Sequence, residues 1–306
     1  MLYQEFPLRE DGTATLCAYV LDPHIRFDQF KTRPAMVICP GGAYLTLATK
    51  EAEPVAARWL GHGYQTFVVR YKHYVVRRQE ETGGEPVVDE GSRIPEQLVD
   101  LMNAMRIVHE HAGEWDIDRS RVYCMGFSAG AHLVGSLAER WDEPGLLERA
   151  GATSAQTKPA GVVMGYPMLN AGPALASPEE VPPQMLPTLA LIKRALFGTD
   201  APTQEQIDGI DLVKHVRPDM PRVFAWHSTQ DVVVNPADTL AFFSAMQTAH
   251  VPCELHFYER GPHGTSLCDW SSASSEEDMQ QASAEWVAAC MRWLDLDASE
   301  AQPSHR

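Results

Sequence analysis

The 306-residue sequence lacks the features of a membrane protein or a secreted one. No apolar run approaches the roughly 20 residues that a membrane-spanning helix needs. The first residues, MLYQEFPLREDG, contain neither the basic segment nor the long apolar segment of a secretory signal. Of the six cysteines, none forms a C-x-x-C pair. These absences predict a cytoplasmic protein with reduced thiols, with the pairing of Cys253 and Cys268 left open.

Basic residues are scarce as well. Lysine and arginine total 25 against 41 aspartates and glutamates, which gives a formal net charge of -16. Nucleic acids and anionic membranes repel such a charge, so neither is expected as a partner. The histidines also lack metal-ligand spacing, because His109 and His111 point in different directions on a helix. We therefore predict no catalytic metal.

The sequence contains instead a series of short apolar runs. They alternate poorly between apolar and polar residues, which suits strands covered on both faces. The runs are residues 35–39, 65–70, 121–125, 161–165, 222–227 and 254–258. Between them lie segments with helical periodicity, such as 95–111 and 277–294. This alternation predicts an α/β fold with a mostly parallel central sheet and helices on both faces.

The pattern extends along most of the chain and predicts a single domain over residues 1–297, followed by a polar tail over 298–306. A further strand is expected over 15–21, and the charged segment 77–94 is expected to be a surface loop. The region 168–200 interrupts the pattern with a high density of prolines. It is either a lid over a site or a surface excursion, and both interpretations stay open.

Residues 126–130, GFSAG, place a serine between two glycines where a strand-like run becomes helical. A strand that turns sharply into a helix forces the central residue into a strained conformation, and glycines two positions away leave room for the turn. The turn exposes the hydroxyl, and the N–H groups and positive dipole end of the following helix point towards it. The pattern predicts that Ser128 is a nucleophile.

A serine hydroxyl needs a base, and the base needs a carboxylate. After a turn of this kind the acid precedes the histidine in the chain. His263 lies in the loop GPHG directly after a strand-like run, where such sheets place their chemistry. Asp231 follows the preceding run. The alternative acid, Asp238, stands where a helix begins and is typical of a helix N-terminal carboxylate, so we predict Asp231 and His263.

A tetrahedral intermediate also needs hydrogen-bond donors for its oxyanion. Gly41, Gly42 and Ala43 follow the run at 35–39, and glycines there allow bare backbone to approach a substrate. We predict donors from the N–H groups of Gly42, Ala43 and Ala129, the last being the residue after the nucleophile. The alternative for the first two is a simple Gly-Gly turn.

Two neighbouring side chains are candidates for substrate contacts. Tyr44 follows the oxyanion loop, where it would line an acyl pocket. His132 lies four residues after Ser128, on the same face of the predicted helix. The alternative for both residues is packing behind the loop.

At these motifs the chain resembles the α/β-hydrolase superfamily, over nearly its whole length. Within it, the sequence is similar to the acetyl-xylan-esterase-like, xylanase-associated carbohydrate esterases of bacteria. The resemblance lies in CPGGAY, GFSAGAHL, GYPML, WHSTQDVVVNP and GPHG. Pro40 and Ala43 replace the histidine and the last glycine of the HGGG motif of lipases and esterases. The resemblance implies a cofactor-free ester hydrolase, often active on acetylated sugars, with Ser128, Asp231 and His263 as its triad.

The leading hypothesis is a serine esterase that removes small acyl groups, with acetyl expected, from a carbohydrate or similar alcohol. Its partner would be a small-molecule or oligosaccharide ester, and a homo-oligomer is left open. One alternative is an amidase or peptidase of the same superfamily, such as an arylformamidase-like enzyme. Another is a non-catalytic module that kept the fold. The completeness of the predicted triad and of the Gly-Gly loop argues against this alternative.

Overall fold

An eight-stranded sheet forms the centre of the computed structural model, which describes residues 1–22, 32–175 and 186–300. The strands of these residues are β1 (Leu2–Pro7), β2 (Thr15–Val20), β3 (Arg33–Cys39), β4 (Gln65–Arg70), β5 (Val75–Arg77), β6 (Val87–Val88), β7 (Ile117–Phe127), β8 (Gly161–Gly165), β9 (Arg222–Ser228) and β10 (Cys253–Tyr258). The order across the large sheet is β1-β2-β4-β3-β7-β8-β9-β10, and β5 pairs with β6 separately. In the large sheet, strand β2 runs antiparallel to its neighbours and the remaining pairs are parallel, whereas β5 and β6 are antiparallel.

Helices cover both faces of this sheet. Those of the described residues are α1 (Glu53–Gly61), α2 (Gln79–Thr82), α3 (Glu96–Glu110), α4 (Ala129–Arg140), α5 (Pro144–Ala150), α6 (Ser154–Thr157), α7 (Gly172–Leu175), α8 (Leu186–Phe197), α9 (Gln204–Asp208), α10 (Pro236–Thr248) and α11 (Gln281–Glu300). Helices α1 and α11 pack on one face, and α3, α4 and α10 pack on the other. The predicted α/β class with a mostly parallel sheet is confirmed.

The central strands are largely apolar because both of their faces are buried. In β3, Met36 and Ile38 pack beside Trp59 of α1 and Trp286 of α11, whose rings stack with centroids 5.5 Å apart. Val37, between them, points to the opposite face and joins the cluster under α3 and α4. Successive side chains of a strand point to opposite faces, so two covered faces remove the polar alternation from the sequence.

Several boundaries differ from the sequence-based expectations. The segment 77–94 is not a plain loop, because it contains α2 and completes the small sheet of β5 and β6. The last helix begins at Gln281 rather than 277, after a short turn at Glu276–Asp278, and it continues to Glu300, past the predicted start of the tail. Strand β1 escapes prediction because it is a largely exposed edge strand without an apolar pattern.

Two predicted segments lie partly outside the described residues. Of the region 168–200, the described parts form α7 and α8, while 176–185 lies outside; the lid interpretation therefore stays a prediction. Residues 301–306 of the predicted tail also lie outside. All six cysteines fall within the described ranges and are free thiols, so the pair of Cys253 and Cys268 does not form. Among the helices described, none is both long and apolar enough to cross a membrane.

The carboxyl ends of the central strands meet at one edge of the sheet. Cys39 at the end of β3 pairs with Gly126 of β7, and Gly165 of β8 pairs with Phe127 of β7 and Trp226 of β9. Strand β4 lies on one side of β3 and β7 on the other, so the strand order reverses between β3 and β7. Open sheets of this kind bind ligands in the crevice at that reversal, which puts the loops after β3 and β7 side by side.

Candidate active site

Ser128 occupies the turn between β7 and α4, with φ of 51° and ψ of -118°. Non-glycine residues rarely adopt positive φ, and such strain costs about 1–3 kcal/mol. The flanking glycines are a steric requirement. A Cβ on Gly126 would lie 2.1 Å from the carbonyl oxygen of Gly130, and a Cβ on Gly130 would lie 2.0 Å from the carbonyl oxygen of Cys39. The turn geometry predicted from GFSAG is therefore present.

The side chains of Ser128, His263 and Asp231 form a continuous hydrogen-bonded chain. His263 Nε2 lies 2.9 Å from Ser128 Oγ, and His263 Nδ1 lies 2.6 Å from Asp231 Oδ2. A carboxylate oxygen can only accept, so Nδ1 carries the proton and Nε2 is free to accept from the serine hydroxyl. His263 is partly exposed, whereas the side chain of Asp231 is 1% exposed. The fold thus brings together the three residues selected from the sequence.

Asp231 is held in place by the backbone that follows it. Its Oδ1 accepts hydrogen bonds from the N–H groups of Val233 and Val234, each at 2.9 Å. Burial works to raise the pKa of this carboxyl, but the hydrogen bonds from His227 and His263 outweigh it and hold the pKa well below its usual range. Asp231 is therefore ionised across the pH range in which enzymes work. An ionised carboxylate is what the proton on His263 Nδ1 needs as an acceptor.

Asp238, the alternative acid, lies in the first turn of α10, after the N-cap residue Asn235. Burial raises the pKa of its carboxyl, and a hydrogen bond with Asn170 opposes that rise. Within the described part of the chain, the side-chain hydrogen bonds of His263 go to Ser128 and Asp231. Asp238 is a helix N-terminal carboxylate, as its position in the sequence indicated.

A second histidine contacts the acid and is missing from the sequence-based site. His227, fully buried at the end of β9, places Nε2 3.0 Å from Asp231 Oδ2 and Nδ1 2.8 Å from Thr239 Oγ1. Because the carboxylate can only accept, His227 Nε2 carries the proton, and Nδ1 accepts from the threonine hydroxyl. The available sequence signal was its place four residues before Asp231, at the end of an otherwise apolar stretch from Val223 to Trp226.

The loop after β3 leaves several N–H groups unpaired. Gly42 has φ of 120°, and a Cβ there would lie 2.2 Å from the carbonyl oxygen of Thr46, so only glycine fits. Ala43 follows with φ of 57°. Among the described residues, the N–H groups of Gly42, Ala43 and Ala129 donate no hydrogen bond. The first two lie on the loop beside the elbow and the third begins α4, so the arrangement suits an oxyanion site.

Tyr44 and His132 do not occupy substrate-contact positions. Each is 1% exposed, and the Tyr44 hydroxyl lies 2.8 Å from His132 Nδ1. His132 Nε2 lies 2.8 Å from the carbonyl oxygen of Ile210. The prediction of substrate contacts is therefore corrected. Both side chains point into the core behind the loop, and their polar atoms are already paired with each other and with the backbone.

No group of three or more potential metal-ligating side chains is assembled in the ranges 1–22, 32–175 and 186–300. The described site assembles a serine, an imidazole, a carboxylate and backbone donors around them. Such a set performs nucleophilic acyl transfer, with the serine as attacking group and the imidazole as proton carrier.

Comparison with known proteins identifies the family of the chain. A family model described as BD-FAE matches residues 21–246, most of the chain. The chain belongs to the BD-FAE family. The carbohydrate-esterase-like resemblance inferred from the motifs is thereby confirmed.

Two relatives of this BD-FAE chain are longer proteins. The endo-1,4-beta-xylanase B of Butyrivibrio fibrisolvens is 27% identical over 245 residues, which cover 78% of the chain but 33% of that relative. The acetylxylan esterase of Xylanibacter ruminicola is 24% identical over 265 residues, which cover 86% of the chain and 46% of that relative. The chain thus spans between a third and a half of the length of these relatives.

Solved structures match the BD-FAE chain from end to end. The carboxylesterase Cest-2923 from Lactobacillus plantarum has a TM-score of 0.77 and 23% identity, covering 97% of this chain and 98% of its own. An acetyl ester-xyloside bifunctional hydrolase from Caldicellulosiruptor lactoaceticus has a TM-score of 0.70 and 23% identity, covering 96% of each chain. MGS-M1, an alpha/beta hydrolase from a deep-sea metagenome library, has a TM-score of 0.69 and 25% identity, covering 97% of each chain. The BD-FAE chain has the α/β-hydrolase fold.

Proposed function

We propose that the protein is a serine carboxylic-ester hydrolase that removes small acyl groups, acetyl above all, from a carbohydrate or a similar alcohol. The observation that carries the proposal is the hydrogen-bonded chain from Ser128 through His263 to Asp231, which begins at a strained elbow. A nucleophile, a base that can accept its proton and a carboxylate that orients the base are the parts that ester hydrolysis by a serine requires.

The first half of the reaction forms an acyl-enzyme. Ser128 Oγ attacks the acyl carbon while His263 Nε2 takes the hydroxyl proton, and Asp231 stabilises the resulting imidazolium. The negative charge that develops on the carbonyl oxygen is received by the free N–H groups of Gly42, Ala43 and Ala129. The bond between the acyl carbon and the alcohol oxygen then breaks, and His263 returns the proton to the departing alkoxide.

The second half releases the acid. Water enters the place of the alcohol, and His263 Nε2 takes one of its protons as the oxygen attacks the acyl carbon. The same N–H groups receive the second oxyanion, the bond to Ser128 Oγ breaks, and the serine recovers its proton from His263. The cycle needs no cofactor, because each proton removed by the histidine is returned within the same half-reaction.

The choice of acyl group and alcohol is supported by a similar protein. The match to an acetylxylan esterase over 86% of the chain favours an acetylated carbohydrate. The cytoplasmic location inferred from the sequence and the homo-oligomer left open there stay predictions. An amide-cleaving enzyme would use the same groups, so the substrate panel below includes an N-acyl arylamine.

The test is a substrate panel on purified protein. We expect hydrolysis of 4-nitrophenyl acetate with a higher kcat/KM than butyrate or octanoate, after each value is divided by the hydroxide-catalysed rate of that ester. Overfilling a packed pocket costs roughly 1–3 kcal/mol, which is about one to two powers of ten in specificity. Acetylated xylooligosaccharides are expected to release acetate, and the N-acyl arylamine is expected to be the poorer substrate.

The matched control is Ser128→Ala. This variant should lose turnover of every ester in the panel while its unfolding temperature stays close to that of the wild type, since only a hydroxyl at the edge of the sheet is removed. Turnover by Ser128→Ala at the wild-type level would overturn the serine mechanism. A corrected preference for octanoate over acetate would overturn the small-acyl assignment alone.

A further inference from the structure

A buried carboxylate behind the triad has no role in the mechanism above. Glu51 is 2% exposed and lies in the short turn Thr49–Glu51 that precedes α1. Its Oε2 accepts a hydrogen bond from the N–H of Gly41 at 2.7 Å, and its Oε1 accepts one from the Tyr166 hydroxyl at 2.6 Å. Both carboxylate oxygens are thus committed to groups that lie at the functional edge of the sheet.

The contacts of Glu51 reach the nucleophile elbow directly. Gly41 is the first residue of the oxyanion loop, and a Cβ added to it would lie 2.8 Å from Glu51 Oε2 and 3.0 Å from the Cβ of Ser128. The backbone of Gly41 therefore lies between the carboxylate and the nucleophile, without room for a side chain. A shift of Glu51 would move Gly41, and with it the N–H groups of the two residues that follow.

The second contact of Glu51 reaches the base. The ring of Tyr166 packs edge-on against the imidazole of His263, with centroids 5.0 Å apart. The Tyr166 hydroxyl also accepts a hydrogen bond from the N–H of Ser266 at 2.9 Å, on the loop that carries His263. One carboxylate thus connects the oxyanion loop, the base and the loop that holds the base.

The hydrogen-bond pattern favours the ionised form of Glu51. Gly41 can only donate, and the Tyr166 hydroxyl, which accepts from Ser266, has its own proton available for the carboxylate. Burial holds the pKa of Glu51 above its ordinary value, and the hydrogen bonds from Tyr166 and Gly41 limit that rise. Over the described ranges Glu51 forms no ion pair, and the adjacent Lys50 pairs with Asp278 at 2.9 Å instead.

A buried charge without an ion-pair partner contributes little to the stability of a fold. Removing a carboxylate from water costs free energy that two neutral hydrogen bonds return only in part, and a neutral side chain of similar shape often serves a core at least as well. The charge is useful when a positive charge appears nearby. In the proposed mechanism that happens on His263 each time it takes a proton.

We propose that Glu51 is a positioning residue, which holds the oxyanion loop against the elbow through Gly41 and stabilises the protonated state of His263 from behind Tyr166. The inference rests on the proposed function. It assigns Glu51 no contact with the substrate, and it gives the site a second carboxylate besides Asp231.

Two substitutions separate the charge from the geometry. Glu51→Gln keeps the length and removes the charge, whereas Glu51→Asp keeps the charge and shortens the reach to Gly41. Glu53→Gln is the matched control, because Glu53 is also a charged glutamate that accepts a hydrogen bond from a tyrosine. Its donors are the Tyr19 hydroxyl at 3.3 Å and Arg70 at 2.9 Å, and both lie away from the site.

Four experiments are done on each variant: the rate of labelling by a fluorophosphonate, steady-state kinetics with 4-nitrophenyl acetate for kcat and KM, the pH profile of kcat/KM, and thermal unfolding. The groups that face His263 are Ser128, Asp231 and Tyr166, with His227 behind Asp231 and Lys50 beside Glu51. All of these are unchanged in the variants, so a shift in the profile reports the loss of the Glu51 charge.

We expect Glu51→Gln to lower kcat by about tenfold and to move the acidic limb of the profile to lower pH, by about one unit, because the protonated histidine loses a nearby negative charge. We expect Glu51→Asp to lower kcat by about 10²-fold through misplacement of the loop, with the limb unmoved. KM should change little in both, since the oxyanion interactions form in the transition state. Glu53→Gln should match the wild type in every measurement.

Each outcome decides the proposal. Wild-type values of kcat and of the acidic limb in both Glu51 variants would overturn it. The proposal would also be overturned if the unfolding temperature fell while kcat per folded molecule and the acidic limb of the pH profile stayed unchanged. That result would indicate a purely structural role. If the wild type neither labels nor hydrolyses the ester, the proposed function fails and this inference falls with it, a result distinct from a wild type that reacts and variants that react equally well.

Discussion

The acid of the candidate triad accepts hydrogen bonds on both oxygens, and each donor has a different task. The N–H groups of Val233 and Val234 fix the position of the carboxylate, while His227 and His263 share its Oδ2. Since His227 is fully buried and also bonded to Thr239, it acts as a fixed strut on the far side of the acid. The orientation of His263 thus depends on a network with little freedom to move.

This network leads to a prediction about the acid. Asp231→Asn should lower kcat by about 10⁴-fold, because the amide can donate to His263 Nδ1 and favour the tautomer that cannot accept from Ser128. Asp238→Asn should leave kcat unchanged and cost about 0.3–1 kcal/mol of stability at most, since it weakens one charge at a helix N-terminus. Steady-state turnover of an acetate ester and thermal unfolding check both variants.

The two variants serve as controls for each other, because each removes one carboxylate charge. Equal and small losses of kcat would mean that another carboxylate orients His263. A large loss in Asp238→Asn with little in Asp231→Asn would reverse the assignment.

At the scale of elements, the oxyanion loop and the elbow helix are joined by a buried hydrogen-bonded pair. The carbonyl oxygen of Ile210 can only accept, so His132 Nε2 carries the proton and His132 Nδ1 accepts from the Tyr44 hydroxyl. Tyr44 has φ of 60° at the end of the loop, and His132 lies on α4. The pair links the loop to the helix that begins at the nucleophile, and it requires a neutral imidazole.

This requirement predicts a pH dependence of stability. Burial lowers the pKa of His132 to about 4, from an ordinary value of 6.5. A lowered pKa means that the unfolded chain binds the proton first, so the contribution is complete above pH 6.5 and is lost as the pH falls towards 4. Between pH 7 and pH 4.5 the free energy of unfolding should fall by about 2–3 kcal/mol more in the wild type than in His132→Gln.

Denaturant unfolding of both proteins at the two pH values checks this expectation. The difference between the proteins is the measured quantity, because carboxylates elsewhere titrate equally in both. Parallel losses in the wild type and in His132→Gln would contradict the neutral, buried imidazole. A larger loss in the variant would contradict the sign of the argument.

At the scale of the whole molecule, stability comes from a sheet covered on both faces and not from covalent links. Its core forms two apolar clusters, one under α3, α4 and α10 and one under α1 and α11. The cysteines contribute as small apolar side chains: Cys39 and Cys124 lie inside β3 and β7, and burial raises the pKa of both thiols. Their reactivity with alkylating agents is correspondingly low.

We therefore expect no effect of reductant on unfolding. The unfolding temperature should be the same with and without dithiothreitol, since all six thiols are free. The measurement is thermal unfolding followed by circular dichroism, with Cys253→Ser as a control for the most accessible thiol. A drop of several degrees in reductant would contradict the structure, because loss of a disulfide typically costs about 2–5 kcal/mol.

Much of this molecule follows from local patterns. The six apolar runs became strands, because burial on both faces favours apolar residues at most positions. The helix predicted at 95–111 is α3, Glu96–Glu110, since an amphipathic stripe over several turns is a strong signal. The edge strand β1 and the small sheet of β5 and β6 were missed, because exposed or short strands carry little pattern.

The sequence by itself determined the fold class, the elbow and the residues of the hydrogen-bonded triad. Each has a local signature, because a sharp turn needs glycines and a reactive loop follows the end of a strand. The tertiary structure alone decided the contacts of Glu51, His227, Tyr44 and His132. Most of their partners are distant in the chain, and His227 itself lies at the buried end of a strand. Burial sets the protonation and the direction of such a side chain. It arises only when the sheet and its two helical layers assemble.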